Sequence, residues 1–196
     1  MTHAPVCPDK PWLQHYDPAV PPALDYPAQT LPDILAATAA RWGGQPATIF
    51  AGSILSYSRL EALSTRLAQA LLELGLQRGD RVGLVLPNCP QFILAFYAIL
   101  KAGGVVAATN PLYRERELAA QLQDAGVTIL IGSRAAAPVL HSVRPELPLR
   151  HVIWTDLDDA AQLEDLPATT TPLTLGPDLD LLEILAAAPS QTLLPQ

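Results

Sequence analysis

The sequence is short of cysteine, of basic residues and of uninterrupted apolar runs. Cys7 and Cys89 lie far apart with no metal-ligand spacing around them, which excludes a disulfide framework and a zinc site. Twelve basic residues against 19 acidic ones leave a formal charge of −7, which argues against a nucleic-acid-binding protein. Lys101 and two glycines divide the most apolar stretch, residues 92–108, into halves too short to span a bilayer.

The chain also lacks an apolar segment near its start, where a secretion signal would have its hydrophobic region. We therefore expect a cytoplasmic protein. With 49% apolar and 16% charged residues, the chain is too hydrophobic to be disordered throughout. Its 196 residues are enough for one domain of ordinary size with a buried core.

Proline and charge divide the chain into three parts. Seven of the 20 prolines fall in the first 30 residues, and the last 41 residues contain eight acidic side chains without any Lys or Arg. We predict an extended Pro-rich arm at residues 1–29 and an α/β domain at residues 30–155. Residues 156–196 are predicted to be a loosely structured, acidic and Pro-rich linker or tail.

The first elements have recognisable start and stop signals. Thr30 is predicted to be the N-cap of a helix over residues 31–42, and residues 47–57 are predicted to form two short strands. Ser58 and Glu61 have the spacing of a capping box, which predicts a second helix with leucines at helical spacing. Gly75 then supplies a C-terminal stop.

Strands and helices alternate through the centre of the chain. Strands joined by crossover helices pair in parallel with right-handed connections, so we predict an α/β fold with a doubly wound, mostly parallel sheet flanked by helices. The predicted strands are residues 81–86, 105–109, 127–131 and 151–155, and the predicted helices are residues 90–101, 115–125 and a third that Ser133 caps and that reaches about Val143.

The sequence has no recognisable catalytic or metal-binding motif. GxxxxGK[ST] and GxGxxG are absent, and Gly176 is the only glycine after Ser133, so that stretch cannot form a triphosphate-binding nest. The four histidines are scattered, and the acidic pairs at 158–159 and 164–165 favour solvated loops over a cation site. We therefore predict no catalytic residue and no metal ligand in this chain.

The loops after the predicted strands are the best place for a ligand, because ligands of doubly wound sheets bind at the carboxyl ends of the strands. Two of these loops contain an asparagine next to a proline, after the first and the second central strand. The candidate substrate-side residues are Asn88, Asn110, Pro111, Tyr113 and Arg114.

The second of these loops has two interpretations. In the first, Asn110 and the turn backbone face a ligand, and positive charge from Arg114, supported by Arg116 and Arg134, attracts an anion such as phosphate. In the second, Asn110 and Pro111 only form the turn, and the arginines pair with neighbouring acidic side chains on an exposed helix. The sequence alone leaves both interpretations open.

Five blocks of the sequence carry a family resemblance. They are LSYSRL at 55–60, LQRGDRV at 76–82, LPNCPQF at 86–92, LKAGGV at 100–105 and NPLY at 110–113. In this order they resemble the N-terminal part of the long-chain fatty-acid:CoA ligases (acyl-CoA synthetases) of the AMP-forming, adenylate-forming superfamily. The resemblance covers about residues 10–155.

The resemblance implies a two-step reaction, in which ATP activates a fatty acid as an acyl-adenylate and CoA then displaces AMP. ATP, Mg and CoA are the cofactors and co-substrates implied for a full-length member. The family's Gly/Thr/Ser-rich ATP loop and its catalytic Lys are not in this chain, so the resemblance implies an N-terminal segment that is inactive alone.

Such a segment would need a partner, either the missing C-terminal portion of the ligase or a further copy of itself. The alternative is a non-catalytic module derived from the same fold, used for dimerisation or for binding a lipid or CoA. Whether the chain is itself an enzyme is open at this point.

Overall fold

The N-terminal arm lies on the surface of the protein. A computed structural model describes residues 10–168 and 172–187 of the chain. Residues 10–30 are almost entirely exposed and contain a single 3₁₀ helix, Pro11–His15. The arm leads directly into the first α-helix.

The first helix and the first two strands form as predicted. Helix α1, Leu31–Trp42, begins with a capping box in which Asp33 N donates to Thr30 Oγ1 at 3.2 Å and Thr30 N donates to an Asp33 carboxylate oxygen at 2.8 Å. Strands β1, Pro46–Phe50, and β2, Ser53–Ser56, pair antiparallel as a separate two-stranded sheet.

Helix α2, Tyr57–Glu73, begins earlier than predicted. Its N-cap is Ser56, whose hydroxyl accepts a hydrogen bond from Arg59 N at 3.3 Å. The predicted capping box of Ser58 and Glu61 is therefore wrong. The physical reason is that Glu61 is already inside the helix, where its carboxylate pairs with Lys101 at 2.7 Å.

The central sheet confirms the predicted doubly wound α/β class. Five strands pair in parallel in the order β4-β3-β5-β6-β7. This is one of the two common doubly wound orders. The strands are β3 Arg81–Val85, β4 Val105–Ala108, β5 Ile129–Ser133, β6 His151–Thr155 and β7 Asp178–Asp180.

Strand β5 begins two residues later than the predicted strand at 127–131. Val127 N still donates to Leu122 O at 3.1 Å, and Gly126 adopts a positive φ of 62°. These are the contacts of a helix C-terminus, so the chain becomes extended only after them.

Helices cover both faces of the sheet. On one face, α1, α2 and α3 pack with the last described helix on a large leucine-rich core, and on the other α4 and α5 pack on a smaller one. The helices after α2 are α3 Pro90–Lys101, α4 Glu115–Asp124 and α5 Ala137–Val143, the last preceded by a 3₁₀ turn, Arg134–Ala136, that Ser133 caps.

The segment from residue 156 onward differs from the predicted loose tail. It contains a 3₁₀ helix, Leu157–Gln162, the fifth strand β7 and helix α6, Leu181–Ala186. Leu179, Leu181, Ile184 and Leu185 are buried in the main core, which explains the order of this segment. In the part of the chain that the structure describes, no helix is both long and apolar enough to cross a membrane.

Polar contacts also fasten this segment to α2. The Glu164 carboxylate accepts hydrogen bonds from Ser56 N at 2.8 Å and from Ser56 Oγ at 2.9 Å. Arg66 of α2 donates to Leu185 O at the end of α6, at 2.6 Å. Glu164 therefore stabilises the start of α2 through its N-cap residue. The interpretation of the 164–165 pair as a solvated loop is wrong for Glu164.

Candidate functional site

The strand order creates a switch point at the carboxyl edge of the sheet. The connection from β3 to β4 passes through α3 on one face, whereas the connection from β5 to β6 passes through α5 on the other. Neighbouring strands whose connections leave on opposite faces form a crevice, where doubly wound proteins bind ligands. The loops after β3 and β5 border this crevice.

The loop after β3 places Asn88 at this edge. Asn88 is exposed, whereas Cys89 is buried at the N-cap of α3. Both border a cavity of about 390 Å³ that is shared with β1. Burial raises the pKa of the Cys89 thiol, although backbone hydrogen bonds of Phe92 and Gln91 partly oppose this, and the shift favours the protonated thiol.

The loop after β4 forms a compact turn on the neighbouring strand. The Asn110 side chain accepts a hydrogen bond from Leu112 N at 3.0 Å, and Tyr113 N donates to Asn110 O at 3.1 Å. Arg114 N donates to the Glu117 carboxylate at 3.2 Å. These are the contacts of the turn-forming interpretation, while the role of the exposed side chains toward a ligand stays a prediction.

The three arginines of the anion-binding interpretation are not brought together. Arg134 pairs with Asp180 and, through Nε at 3.2 Å, with Asp156, so its charge ties together the ends of β5, β6 and β7. Arg114 and Arg116 are exposed at the start of α4, a separate part of the same edge. Arg134 is therefore held in ion pairs at this edge, whereas Arg114 and Arg116 stay predicted partners for an anion.

Gln91 is a buried polar residue at this edge that the sequence reasoning missed. Its side chain is fully buried, and Nε2 donates to Asp156 O at 2.7 Å, joining the start of α3 to the loop after β6. Oε1 has no hydrogen-bond partner among the described residues. The available signal is a single amide in the otherwise apolar first turns of α3.

The described glycines with positive φ lie away from the carboxyl edge of the sheet. Four glycines with positive φ close the turns that lead into strands, at the opposite, amino-terminal edge; they are Gly75, Gly79, Gly103 and Gly126. The other described residues with positive φ, Ala51 and Gly52, form the hairpin turn between β1 and β2. Among the described residues, no group of three His, Cys, Asp or Glu side chains could hold a metal ion.

A second cavity, an open cleft of about 660 Å³, lies at the amino-terminal edge between α1 and the end of α3. Lys101 borders it, and its ammonium group donates to Ser64 Oγ and Thr65 Oγ1, each at 2.9 Å, and to Glu61 O at 3.0 Å. Burial lowers the pKa of Lys101, and the hydrogen bond and charge of Glu61 only partly oppose this. The hydrogen-bond donors of the Lys101 ammonium group are all used by α2. Lys101 therefore joins α2 to α3 and is not free to bind a ligand.

Comparisons with known proteins agree with this architecture. The chain is 45% identical over 122 residues to a long-chain-fatty-acid–CoA ligase of Bacillus subtilis, covering 62% of this chain and 22% of that protein. Across the similar ligases of Bacillus and Escherichia coli, the chain spans about a quarter of their length. The sequence-based resemblance to these ligases is thereby confirmed.

Solved structures share the fold. A long-chain-fatty-acid-CoA ligase of Archaeoglobus fulgidus matches with a TM-score of 0.64 at 22% identity, over 74% of this chain and 32% of that one. The N-terminal subdomain of Klebsiella oxytoca NpsA matches with a TM-score of 0.54 at 25% identity, over 67% of this chain and 32% of that one. The family model for AMP-binding enzymes matches residues 35–190, and the chain belongs to this AMP-binding enzyme family.

Proposed function

We propose that this chain is the N-terminal segment of an AMP-forming fatty-acid:CoA ligase and that it is inactive alone. Similarity to fatty-acid:CoA ligases of about three times its length supports this proposal. In the complete enzyme the segment contributes the carboxyl edge of the sheet, with Asn88 and the 110–114 turn on the substrate side. The enzyme would act in the cytoplasm.

The single observation that supports inactivity of the isolated chain is the backbone conformation at the carboxyl edge of the sheet. Triphosphates are commonly held by backbone amides arranged around the phosphates, and their Mg ion by a set of oxygen ligands. Within the described residues, the positive-φ glycines of the sheet connections lie at the opposite edge and no candidate metal cluster exists. The described residues thus offer neither arrangement, and in the proposed enzyme the remaining polypeptide supplies the groups that bind ATP and CoA.

A chimera tests this proposal. The segment of the Bacillus subtilis ligase that matches this chain is replaced by this chain, and fatty-acid-dependent ATP–pyrophosphate exchange is measured. We expect exchange by the chimera and none above background by the isolated chain. Exchange by the isolated chain, or a folded chimera without activity, would contradict the proposal.

The same chimera tests the predicted substrate-side residues. Arg114→Gln is expected to raise the KM for the fatty acid, which binds as a carboxylate anion, because it removes an exposed positive charge at this edge. Arg150→Gln, another exposed arginine but on the loop that leads into the amino end of β6, is the matched control. Equal KM values for both variants would remove Arg114 from the site.

A non-catalytic dimerisation module is the second candidate, and exposed isoleucines on the β1–β2 hairpin favour it. The DNA downstream of the coding region separates the two candidates. A reading frame for a Gly/Thr-rich loop followed by Lys supports the ligase, whereas unrelated genes favour the module.

A further inference from the structure

A cavity of about 390 Å³ lies between the β1–β2 hairpin and the start of α3. Residues 48–50 of β1 line one side, and the loop after β3 and the first turn of α3 line the other. We call this space the β1–α3 cavity. Small-molecule sites in proteins begin at about 300 Å³, and about 150 Å³ is enough for a benzene ring. The β1–α3 cavity is therefore large enough for a ring or a short chain with one substituent.

The strand register places this cavity on the inner side of the hairpin. Thr48 pairs across the two strands with Leu55, which is buried in the main core. Alternate residues of a strand share a face, so Phe50 lies on the same inner side as Thr48, and it packs on that core. Ile49 and Ile54 pair on the outer side, which is exposed. The β1–α3 cavity is therefore separate from the exposed outer face of the hairpin.

The described residues that line the cavity carry no formal charge. Phe50, Phe92 and Ile93 give it apolar walls, and the raised pKa of the Cys89 thiol favours its neutral form. A charged group that entered would lose hydration without an opposite charge to offset the loss. The cavity therefore favours hydrocarbon and disfavours a carboxylate, a phosphate or an ammonium group.

One hydroxyl in the cavity wall lacks a partner. Thr48 Oγ1 is buried and has no hydrogen-bond partner within the described part of the chain. A threonine hydroxyl both donates and accepts, and buried polar groups are normally paired. A water molecule is held in such a place only by about two to four polar groups, and apolar side chains form most of this lining. A ligand with one hydroxyl group would pair with Thr48 while its hydrocarbon part fills the remaining space.

We propose that the β1–α3 cavity is a binding site for an uncharged, mostly hydrocarbon molecule with one hydroxyl group, which forms a hydrogen bond with Thr48. Asn88, the exposed polar residue of the lining, marks the side that opens to solvent. The site is independent of the proposed ligase function, because it requires neither ATP nor any polypeptide outside the described residues.

Three small aromatic probes of similar shape test the proposal on the unmodified chain. 4-Methylphenol has the hydroxyl and is uncharged at pH 7, toluene lacks the hydroxyl, and 4-methylbenzoate has a negative charge in its place. NMR spectra of the isoleucine methyl groups are recorded during each titration. We expect 4-methylphenol to shift the signals of Ile49 and Ile93 saturably, while Ile34 on α1, outside the cavity, stays unchanged. 4-Methylbenzoate should bind at least about tenfold more weakly than 4-methylphenol.

The hydrogen bond has its own test. Thr48→Val retains the side-chain shape but removes the hydroxyl, so it should weaken binding of 4-methylphenol by about three- to tenfold without weakening binding of toluene. Thr48→Ser retains the hydroxyl and should bind 4-methylphenol more tightly than Thr48→Val does. Thr38→Val, which removes a hydroxyl from α1 outside the cavity, is the matched control with unchanged affinity. Circular dichroism verifies that the variants fold.

Each contrary result overturns a defined statement. If 4-methylphenol produces no saturable shift at Ile49 and Ile93, the cavity does not bind this class of molecule. Equal affinities for 4-methylphenol and 4-methylbenzoate would contradict the preference for an uncharged ligand. Both of these measurements use the unmodified chain, so they decide the matter even if Thr48→Val does not fold. If Thr48→Val weakens neither probe, or weakens both equally, the hydrogen bond with Thr48 is wrong.

Discussion

Lys101 illustrates how a single charged residue is accommodated between two helices. An ammonium group loses hydration on burial, and this cost is recovered only when its protons are all bound. Here the partners are the Glu61 carboxylate and three oxygen atoms of α2, one of them on the buried Ser64. From the sequence Lys101 only interrupts an apolar stretch, because its partners lie 36 to 40 residues earlier.

Replacing Lys101 should therefore cost more than replacing an exposed lysine. We expect Lys101→Ala to lower the free energy of unfolding by about 2–4 kcal/mol, since it leaves a cavity and buried acceptors without donors. Lys101→Met, which retains the aliphatic stem, should cost less. Urea denaturation measures both values. A loss below about 0.5 kcal/mol for Lys101→Ala, the size of an ordinary surface substitution, would show that the buried contacts contribute nothing.

The same variants have a defined pH dependence. Because the folded pKa of Lys101 is lowered from 10.5, the unfolded chain binds more protons in the alkaline range below that value. The contribution of this group to the unfolding free energy therefore rises with pH in that range. The difference between the unmodified chain and Lys101→Met should increase from pH 7 toward pH 10, and a constant difference would contradict the lowered pKa.

At the scale of elements, periodicity and caps predicted most of the fold and distant contacts account for the rest. Helices α1 and α3 and strand β6 have the predicted bounds, because their Thr30, Pro90 and β-branched signals are local. The start of α2 is different, since Ser56 and Ser58 are both acceptable N-caps locally and Glu164, 108 residues away, binds Ser56. Such a choice between neighbouring serines cannot be read from spacing.

The two serines provide a matched test of the α2 start. We expect Ser56→Ala to lower the free energy of unfolding by about 1–2 kcal/mol, because it removes the N-cap and one hydrogen bond to Glu164. Ser58→Ala, at an exposed position in the first turn, should change it by less than about 0.5 kcal/mol. Chemical denaturation of both variants measures the difference, and the reverse order would restore the capping box at Ser58.

At the scale of the whole molecule, the candidate site is less predictable than the fold that positions it. Parallel pairing and the carboxyl edge follow from the alternation of elements. The ion pairs of Arg134 do not follow from it, because Asp180 belongs to β7. The acidic, Pro-rich composition of residues 156–196 did not indicate a strand there. The apolar spacing of Leu179, Leu181 and Leu185 was the available signal for this last strand and helix.

The segment that contains β7 and α6 should accordingly be necessary for folding. Its four buried Leu and Ile side chains each contribute about 1.5–3 kcal/mol, and their sum is comparable to the whole stability of a typical domain. We expect a chain ending at residue 155 to lack a cooperative thermal transition and to aggregate, whereas the full chain should unfold cooperatively. Circular dichroism and light scattering measure both properties. The shorter chain is expected to aggregate because it exposes the edge of β6 and uncovers α2. Cooperative unfolding of the 1–155 chain at an unchanged temperature would mean that the core is complete without this segment.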